Sequence, residues 1–437
     1  MRGIVACECR RTLGSLGELW RERRARHLLG ETPIGTRHRP NTLSPMGFVI
    51  AFGAVSMLAD VVYEGARAIV GPYLATLGAS AALVGLVTGA GEAVALVLRL
   101  LTGPLADKTR RYWTWSIAGY LMTVVAVPLL SFSATLGQAS ALVIAERFGK
   151  AVRTPARDTM LSHAGGRQRR GRAFALHELL DQTGALAGPL VVALMIALGS
   201  FRTAFRVLLI PGLGALALLA WLRRRVPRPQ DYETDVPDTY PGGAAQQPVA
   251  APLPRRFWRY SAFTAISMLG FATFGVISYH LEVRHVLAPD VIPIVYAAAM
   301  AAAALAALGA GFAYDRIGLA SLIIVPPLTS VIPLLSFSTV PLQVWWGAVL
   351  WGTVVGLHGS TMRAAVADLA PAARRGLAYG VFSAAYGLAW LVGATLIGAL
   401  YAHSLPEVQL LTGLTQALAL VVFVPLLRSG KGARPAA

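Results

Sequence analysis

The chain has 437 residues, 55% of them hydrophobic and only 14% charged, and its mean hydropathy of +0.59 lies far above that of a soluble domain. A net charge of +18 in so apolar a chain belongs beside a membrane surface rather than on a nucleic acid, because the Arg and Lys residues gather at the ends of apolar runs. The only cysteines are Cys7 and Cys9, which excludes a disulfide framework and a buried thiolate metal centre.

Met1 to Leu43 is rich in Arg and lacks a continuous apolar stretch, so it does not read as a secretory signal. Residues 1–43 are expected either as a basic cytoplasmic leader or as the product of an over-called start, with Met46 opening the true first helix; an organellar transit peptide is a third reading. Six apolar runs follow, each long enough to cross about 30 Å of hydrocarbon as a helix. They are Pro45–Leu74, Ala82–Ala106, Trp113–Phe132, Gln138–Arg157, Ala173–Leu198 and Thr203–Leu222. Arg223 to Arg256 is rich in Pro, Gly, Ala and polar residues and reads as a linker. Six more runs come next: Trp258–Leu281, Ile292–Tyr314, Leu319–Phe337, Leu342–Ala365, Leu377–Tyr401 and Val408–Leu427. The expected fold is therefore an all-α integral membrane protein of twelve helices in two pseudo-symmetric six-helix bundles. Its boundaries are 44–222 and 257–428, joined by 223–256 and closed by a tail at 429–437.

Orientation follows from charge. Connections after even-numbered runs carry Lys108, Arg110 and Arg111, then Arg167, Arg169, Arg170 and Arg172, then Arg223 to Arg225, Arg316, and Arg374 with Arg375. The connections TLGAS, SATLG and STVPL carry no Lys or Arg. Both termini are thus expected in the cytoplasm, with the protein in a bacterial inner membrane.

The two halves repeat one another. VPLLSFS at Val127–Ser133 returns as IPLLSFS at Ile332–Ser338, and the same offset aligns RGRAFA at Arg170–Ala175 with RGLAYG at Arg375–Gly380. Such repeats mark transporters whose substrate site lies between two bundles near the bilayer midplane. The chain also resembles the major facilitator superfamily. That family carries G-x-x-x-D-[RK]-x-G-[RK] between its second and third helices, matched here by Gly103, Asp107, Lys108 and Arg111, with Arg110 where Gly is usual. A second-half copy contains Gly311, Asp315, Arg316 and Gly318. The resemblance implies a cytoplasmic gating latch at these eight residues. Gly184, Gly188 and Pro189 are similar to the G-x-x-x-G-P signature of proton-coupled exporters, and they equally allow ordinary close helix packing.

The run ERFGKAVRTPARD places charge inside the fourth helix. Glu146 and Lys150 fall about 12 and 18 Å from its outer end, near the midplane, where charge is costly unless paired or hydrated. Its counterpart in the repeat is WGTVVGLHGSTMR, Trp351 to Arg363, so the fold does not require those charges there. Glu146, Lys150, Arg153 and Arg157 share one helical face, as do Asp60, Glu64 and Arg67, Glu92 and Arg99, and His177 and Asp181.

Asp60, Glu92, Glu146 and Asp181 are the candidate proton carriers; Arg147, Lys150, His177, Trp351, His358 and Trp390 are candidates for the substrate cavity. For each carboxylate the alternative is a static ion pair. Arg153, Arg157 and Asp158 read better as interfacial anchors, and Trp345 with Trp346 as an interfacial belt. Three functions stay open: proton-coupled export of a small organic molecule, proton-linked uptake of a small anion or metabolite, and a non-transport scaffold or enzyme. No nucleophile–base pair, metal spacing or phosphate loop supports the last. No cofactor or nucleic-acid partner is expected; substrate, protons and lipid are, with a monomer as the assembly.

Overall fold

A computed structural model describes residues 42–233, 252–371 and 374–428; the leader up to 41, the centre of the linker and the tail from 429 lie outside them. Side chains of 166–172, Glu233, Arg363 and Arg428 are likewise outside the description. The described residues form helices and short connections, with no strand among them. In the first half these are α1 (Pro45–Thr76), α2 (Ala81–Val97), α3 (Arg99–Thr109), α4 (Tyr112–Leu129), α5 (Leu136–Ala197), α6 (Phe201–Val207) and α7 (Leu209–Arg225). In the second half they are α8 (Arg255–Leu269), α9 (Phe274–Val283), α10 (Ile292–Ile317), α11 (Val325–Ser336), α12 (Pro341–Leu369), α13 (Arg375–Tyr401) and α14 (Leu405–Arg428).

Nine segments among the described residues are long and apolar enough to span a membrane. One of them, Ile292–Ser336, holds both α10 and α11. With α12 and the charged arm of α5 the order is consistent with twelve passes in two six-helix bundles. Apolar side chains such as Ile210, Leu305, Phe312 and Val421 are exposed, as expected of a surface solvated by hydrocarbon.

Short interruptions at Leu98 and Leu208 divide the runs expected at Ala82–Ala106 and Thr203–Leu222 into α2 with α3 and α6 with α7, and a 3-10 turn at Gly318–Ile324 precedes α11; two further departures bear on the site. The predicted fourth and fifth helices are one element, α5, assigned as helix without a break across the basic segment 166–172. A straight rod would hold residues 157 and 181 about 36 Å apart, yet Arg157 Nη1 lies 3.6 Å from Asp181 Oδ2, so α5 doubles back into two arms. The two expected helices therefore remain separate passes, and three glycines, Gly165, Gly166 and Gly171, lie in the span where the chain reverses. The second departure is the predicted helix Trp258–Leu281, which is broken between Leu269 and Phe274.

Close packing is bought with glycine. A Cβ on Gly184 would overlap the Met57 carbonyl oxygen, and one on Gly188 the Val61 carbonyl, so the second arm of α5 lies directly on α1. Pro189 follows inside the same arm. Between the halves, Gly71 abuts Gly275, Gly85 abuts Ala394 and Gly398 abuts Ala81. All three contacts lie toward the end of the bundles away from Pro45 and Arg428, the first and last described helical residues, whose end is called the termini end below. A space between Arg67, Glu92 and Arg147 on one side and Thr273, Phe274 and Gly275 on the other has a volume of about 20 Å³, roughly one water molecule. The halves are in close contact at that end.

Gly352 and Gly356 let α12 ride on the carbonyls of Ala299 and Ala303 in α10, whereas a Cβ on Gly309 would meet nothing. Gly352→Ala is therefore expected to cost about 1–3 kcal/mol through overpacking, and Gly309→Ala to cost none. Thermal unfolding of the two purified variants in detergent checks this.

Candidate functional site

The ionisable residues of α1, α2 and α5 converge on a buried lattice. Gly91 leaves room for the Arg147 side chain along α2, and Arg147 then bridges two carboxylates: Nη2 is 3.5 Å from Glu92 Oε1 and Nε is 3.4 Å from Glu146 Oε2. Glu92 Oε1 is also held by Arg67 Nη2 at 2.8 Å, and Arg67 Nη1 lies 3.7 Å from Glu64 Oε1. The Tyr63 hydroxyl accepts from both Arg147 and Arg67. Its ring carries Lys150 Nζ at 3.8 Å from the centroid, a cation–π contact strengthened by desolvation. Lys150 has no carboxylate within 4.0 Å among the described residues. Glu64 in turn accepts a hydrogen bond from Tyr296 of α10, which ties the lattice to the second half.

A second group lies toward the termini. Gly119 and Gly149 bring α4 against α5, and Arg153, only 1% exposed, donates to Thr123 Oγ1 at 2.6 Å and approaches Asp60 Oδ1 at 3.8 Å. Its guanidinium sits 4.8 Å from the Tyr120 ring centroid. Arg157 Nε donates to Asp158 Oδ1 at 2.9 Å while Nη1 faces Asp181. His177 Nε2 pairs with Ser56 Oγ at 2.9 Å, and Ser56 with the Tyr120 hydroxyl at 2.8 Å.

The lattice brings together Glu92, Glu146, Arg147 and Lys150, and the second group holds Asp60, Asp181 and His177. The members differ in how firmly they are held. Two arginines share one oxygen of Glu92. Glu146 Oε1 and Asp181 Oδ1 are buried without any hydrogen-bond partner, and each of these two acids is bound through its other oxygen alone. Glu64, Arg67, Tyr63 and Tyr296 belong to the lattice although the sequence did not single them out as site residues. The spacing of Glu64 and Arg67 with Asp60 was a signal; Tyr63 and Tyr296 carry no charge pattern to find. Tyr120 and Thr123 enter from the third pass, which has no charge of its own.

In the second half, Trp351 is completely buried and gives its Nε1–H to Ala272 O at 2.9 Å. His358 and Trp390 are 3% and 5% exposed, and their Nε2 and Nε1 atoms have no partner. The repeated motif lies at the termini end. Asp107, Lys108, Arg111, Asp315 and Arg316 are exposed and form no ion pair with another described residue. A Cβ on Gly103 or Gly311 would make only ordinary contacts, with Pro155 and Ser360, so close approach there is not what glycine provides in this state. The motif's other glycine position has a clear backbone reason: φ is +60° at Gly318 and +51° at Arg110, a region that favours glycine.

Two bundles in close contact at one end around a buried lattice of charge define a polytopic membrane transporter. The chain belongs to the Major Facilitator Superfamily, which it matches over residues 46–288 and 264–437, and it is a transporter of a small-molecule substrate rather than an enzyme. It is 53% identical over 382 residues to an uncharacterized protein of Mycobacterium tuberculosis, covering 87% of this chain and 93% of the relative. It is 25% identical over 375 residues to an uncharacterized MFS-type transporter of Methanocaldococcus jannaschii, covering 84% and 91%. Its fold is similar to that of a bacterial homolog of the human lysosomal transporter Spinster in an inward-facing, unoccupied conformation, with TM-score 0.67, 15% identity, and 90% and 99% coverage. A POT family transporter solved with 5-aminolevulinic acid gives TM-score 0.70 at 13% identity over 90% and 98%.

Removing one partner of a buried ion pair strands the other, at a cost of about 3–5 kcal/mol. Arg147→Met strands Glu146 and weakens the hold on Glu92. We expect a loss of that order in thermal or denaturant unfolding, and partial recovery in Arg147→Met/Glu146→Gln. Additive losses in the double variant would show that the two residues do not share a lattice.

Proposed function

We propose that the chain exports a small organic molecule across the bacterial inner membrane in exchange for protons, by alternating access, with its termini in the cytoplasm. The observation that carries the coupling is the pair of buried carboxylates, Glu146 and Asp181, each with one unpartnered oxygen. A buried acceptor without a donor is unfavourable, and a proton at that oxygen cancels the charge while breaking the fewest contacts. Glu92, with two arginines on one oxygen, keeps its charge and anchors Arg67 and Arg147. Asp60 faces Arg153 across the α1–α5 contact and completes the termini-side group.

Coupling to conformation runs through Tyr296 and Glu64. Their hydrogen bond and the Thr88–Thr273 hydroxyl pair at 2.8 Å cross between the halves, and rocking the bundles apart breaks both. Glu64 then has only Arg67, and charge redistributes along Arg67, Glu92, Arg147 and Glu146. Protonation of Glu146 compensates that redistribution, so proton binding favours one orientation of the halves over the other. With the Gly71–Gly275 end outward, the close contact there agrees with an inward-facing state, and the exposed motif residues, which form no ion pair with another described residue, agree with a latch that forms only when the halves close on the cytoplasmic side. Of the two transport directions the similarity of Gly184, Gly188 and Pro189 to exporters favours efflux.

The test uses full-length protein in liposomes with an internal pH dye and a panel of neutral, cationic and anionic organic compounds. Wild type is expected to move protons with at least one compound and against its direction. Glu146→Gln and Asp181→Asn are expected to lose proton-driven transport by tenfold or more yet retain compound exchange without a gradient. Tyr296→Phe, which removes the hydroxyl that ties Glu64 to the second half, is expected to lower the number of protons moved per compound. Co-directional movement would make the protein an importer, and wild-type coupling in both carboxylate variants would contradict the assignment.

A further inference from the structure

The second half holds a group of residues that the proton lattice does not use. The helix formed by α8 and α9 is unwound from Gly270 to Thr273, close to the middle of its pass. Discontinuous helices at membrane depth are tolerated where the freed backbone is satisfied by protein or lines a cavity, and in transporters they build substrate sites. Two freed carbonyls are accounted for: Gly270 O accepts from Thr412 Oγ1 at 3.2 Å and Ala272 O from Trp351 Nε1 at 2.9 Å. Trp351 is thereby committed to holding the break. Phe271, between those carbonyls, stacks on Trp351 at 5.8 Å and meets Trp390 at 6.0 Å. Trp390 meets Tyr386 edge-on at 5.7 Å, and Tyr386 meets His358 at 6.1 Å.

Two polar atoms of this group are buried and unpartnered, Trp390 Nε1 and His358 Nε2. They come from different helices, α13 and α12, and the Tyr386 ring touches both side chains. The group also lies at the seam of the halves. Gly387, next to Tyr386, abuts Ala93, next to Glu92; Gly89 abuts Leu391, next to Trp390. A ligand between the halves would therefore have rings on one side and the Glu92–Arg67 pair on the other.

We propose that Phe271, Tyr386, Trp390 and His358 form the substrate subsite of the second half, and that it takes a planar, uncharged aromatic compound bearing a hydrogen-bond acceptor. This rests on the transport reading of the same seam. Ring faces supply stacking area, and the indole N–H, a donor only, requires an acceptor such as a carbonyl oxygen or ring nitrogen. An organic cation without an acceptor would leave that donor unmatched, and it would find Glu92 already held by Arg67 and Arg147. An organic anion would enter beside Glu92 and Glu64, whose arginines are already paired. The sequence left the sign of the substrate's charge open; the unpartnered donor calls for an acceptor, and with Glu92, Arg67 and Arg147 paired to one another no free counter-ion among the described residues faces the rings, which selects neutral.

The test is equilibrium binding to the full-length protein in detergent, with empty micelles as reference. Probes are 7-methoxycoumarin and 2-quinolone as neutral planar acceptors, tetraphenylphosphonium as cation and benzoate as anion. At least one neutral probe is expected to bind saturably. Trp390→Phe, which keeps a ring and removes the donor, is expected to weaken it about tenfold or more, the discrimination expected when a buried donor–acceptor pair is lost. His358→Phe is expected to weaken it as well. Trp346→Phe, at an exposed tryptophan outside the seam, serves as control and is expected to bind as wild type. The proposal fails if neither neutral probe binds saturably, if only the cation or the anion binds, or if Trp390→Phe binds as tightly as wild type. Binding needs no proton gradient, so failure here leaves the proton-coupling reading intact, and failure of coupling leaves the subsite to be judged by binding alone.

Discussion

Everything in this molecule depends on the cost of holding charge in hydrocarbon. An unpaired ion at the bilayer centre costs at least several kcal/mol, so the charges of α1, α2 and α5 have to be matched to one another. Arg147 is the residue on which that matching turns. It contacts two carboxylates and a phenol, drawn from three elements. Glycines at Gly91, Gly119, Gly149, Gly184 and Gly188 bring the backbones near enough for the matching to be made. Helix packing and charge pairing are thus one constraint: the lattice exists because the helices are close, and their closeness is tolerable because the charges inside are paired.

The halves divide the work unequally. The first carries the carboxylates and cations; the second answers with aromatic rings, a broken helix and a tyrosine that reaches Glu64. Duplication gave both halves the same helix order, and substitution within it made WGTVVGLHGSTMR where the first half has ERFGKAVRTPARD. An ion lattice that spanned both bundles would resist their separation. A lattice confined to one bundle, joined to the other by the Tyr296 and Thr273 hydroxyls, leaves the seam free to open.

The passes were legible because hydropathy records the bilayer directly, and the helical period aligned Glu146, Lys150, Arg153 and Arg157 on one face, although Arg153, expected as an interfacial anchor, is 1% exposed and paired inside with Asp60 and Thr123. Hydropathy put a boundary at the basic segment, and the chain does reverse between Arg157 and Asp181 to make two arms. What the sequence concealed has physical causes. The unwinding after Leu269 has no proline to announce it and depends on Trp351 and Thr412 capping its carbonyls from distant helices. Tyr63 and Tyr296 escaped because a hydroxyl's role is set by its partner, and Glu64 lies more than two hundred residues from Tyr296. Trp351 and Trp390 looked alike in the sequence; one has a partner for its N–H and the other has none.

The central claim is that protonation of the first-half carboxylates sets the orientation of the two bundles. The most direct measurement is the distance between spin labels at Arg111 and Arg316, both exposed at the termini end, in a variant with Cys7 and Cys9 replaced by serine. Distance distributions would be recorded by pulsed dipolar spectroscopy at neutral and acidic pH, without substrate. The account predicts that acidification redistributes the wild-type population between a longer and a shorter distance, and that Glu146→Gln/Asp181→Asn holds one distribution at both pH values. A wild-type distribution indifferent to pH, or a double variant that responds as wild type does, would contradict it.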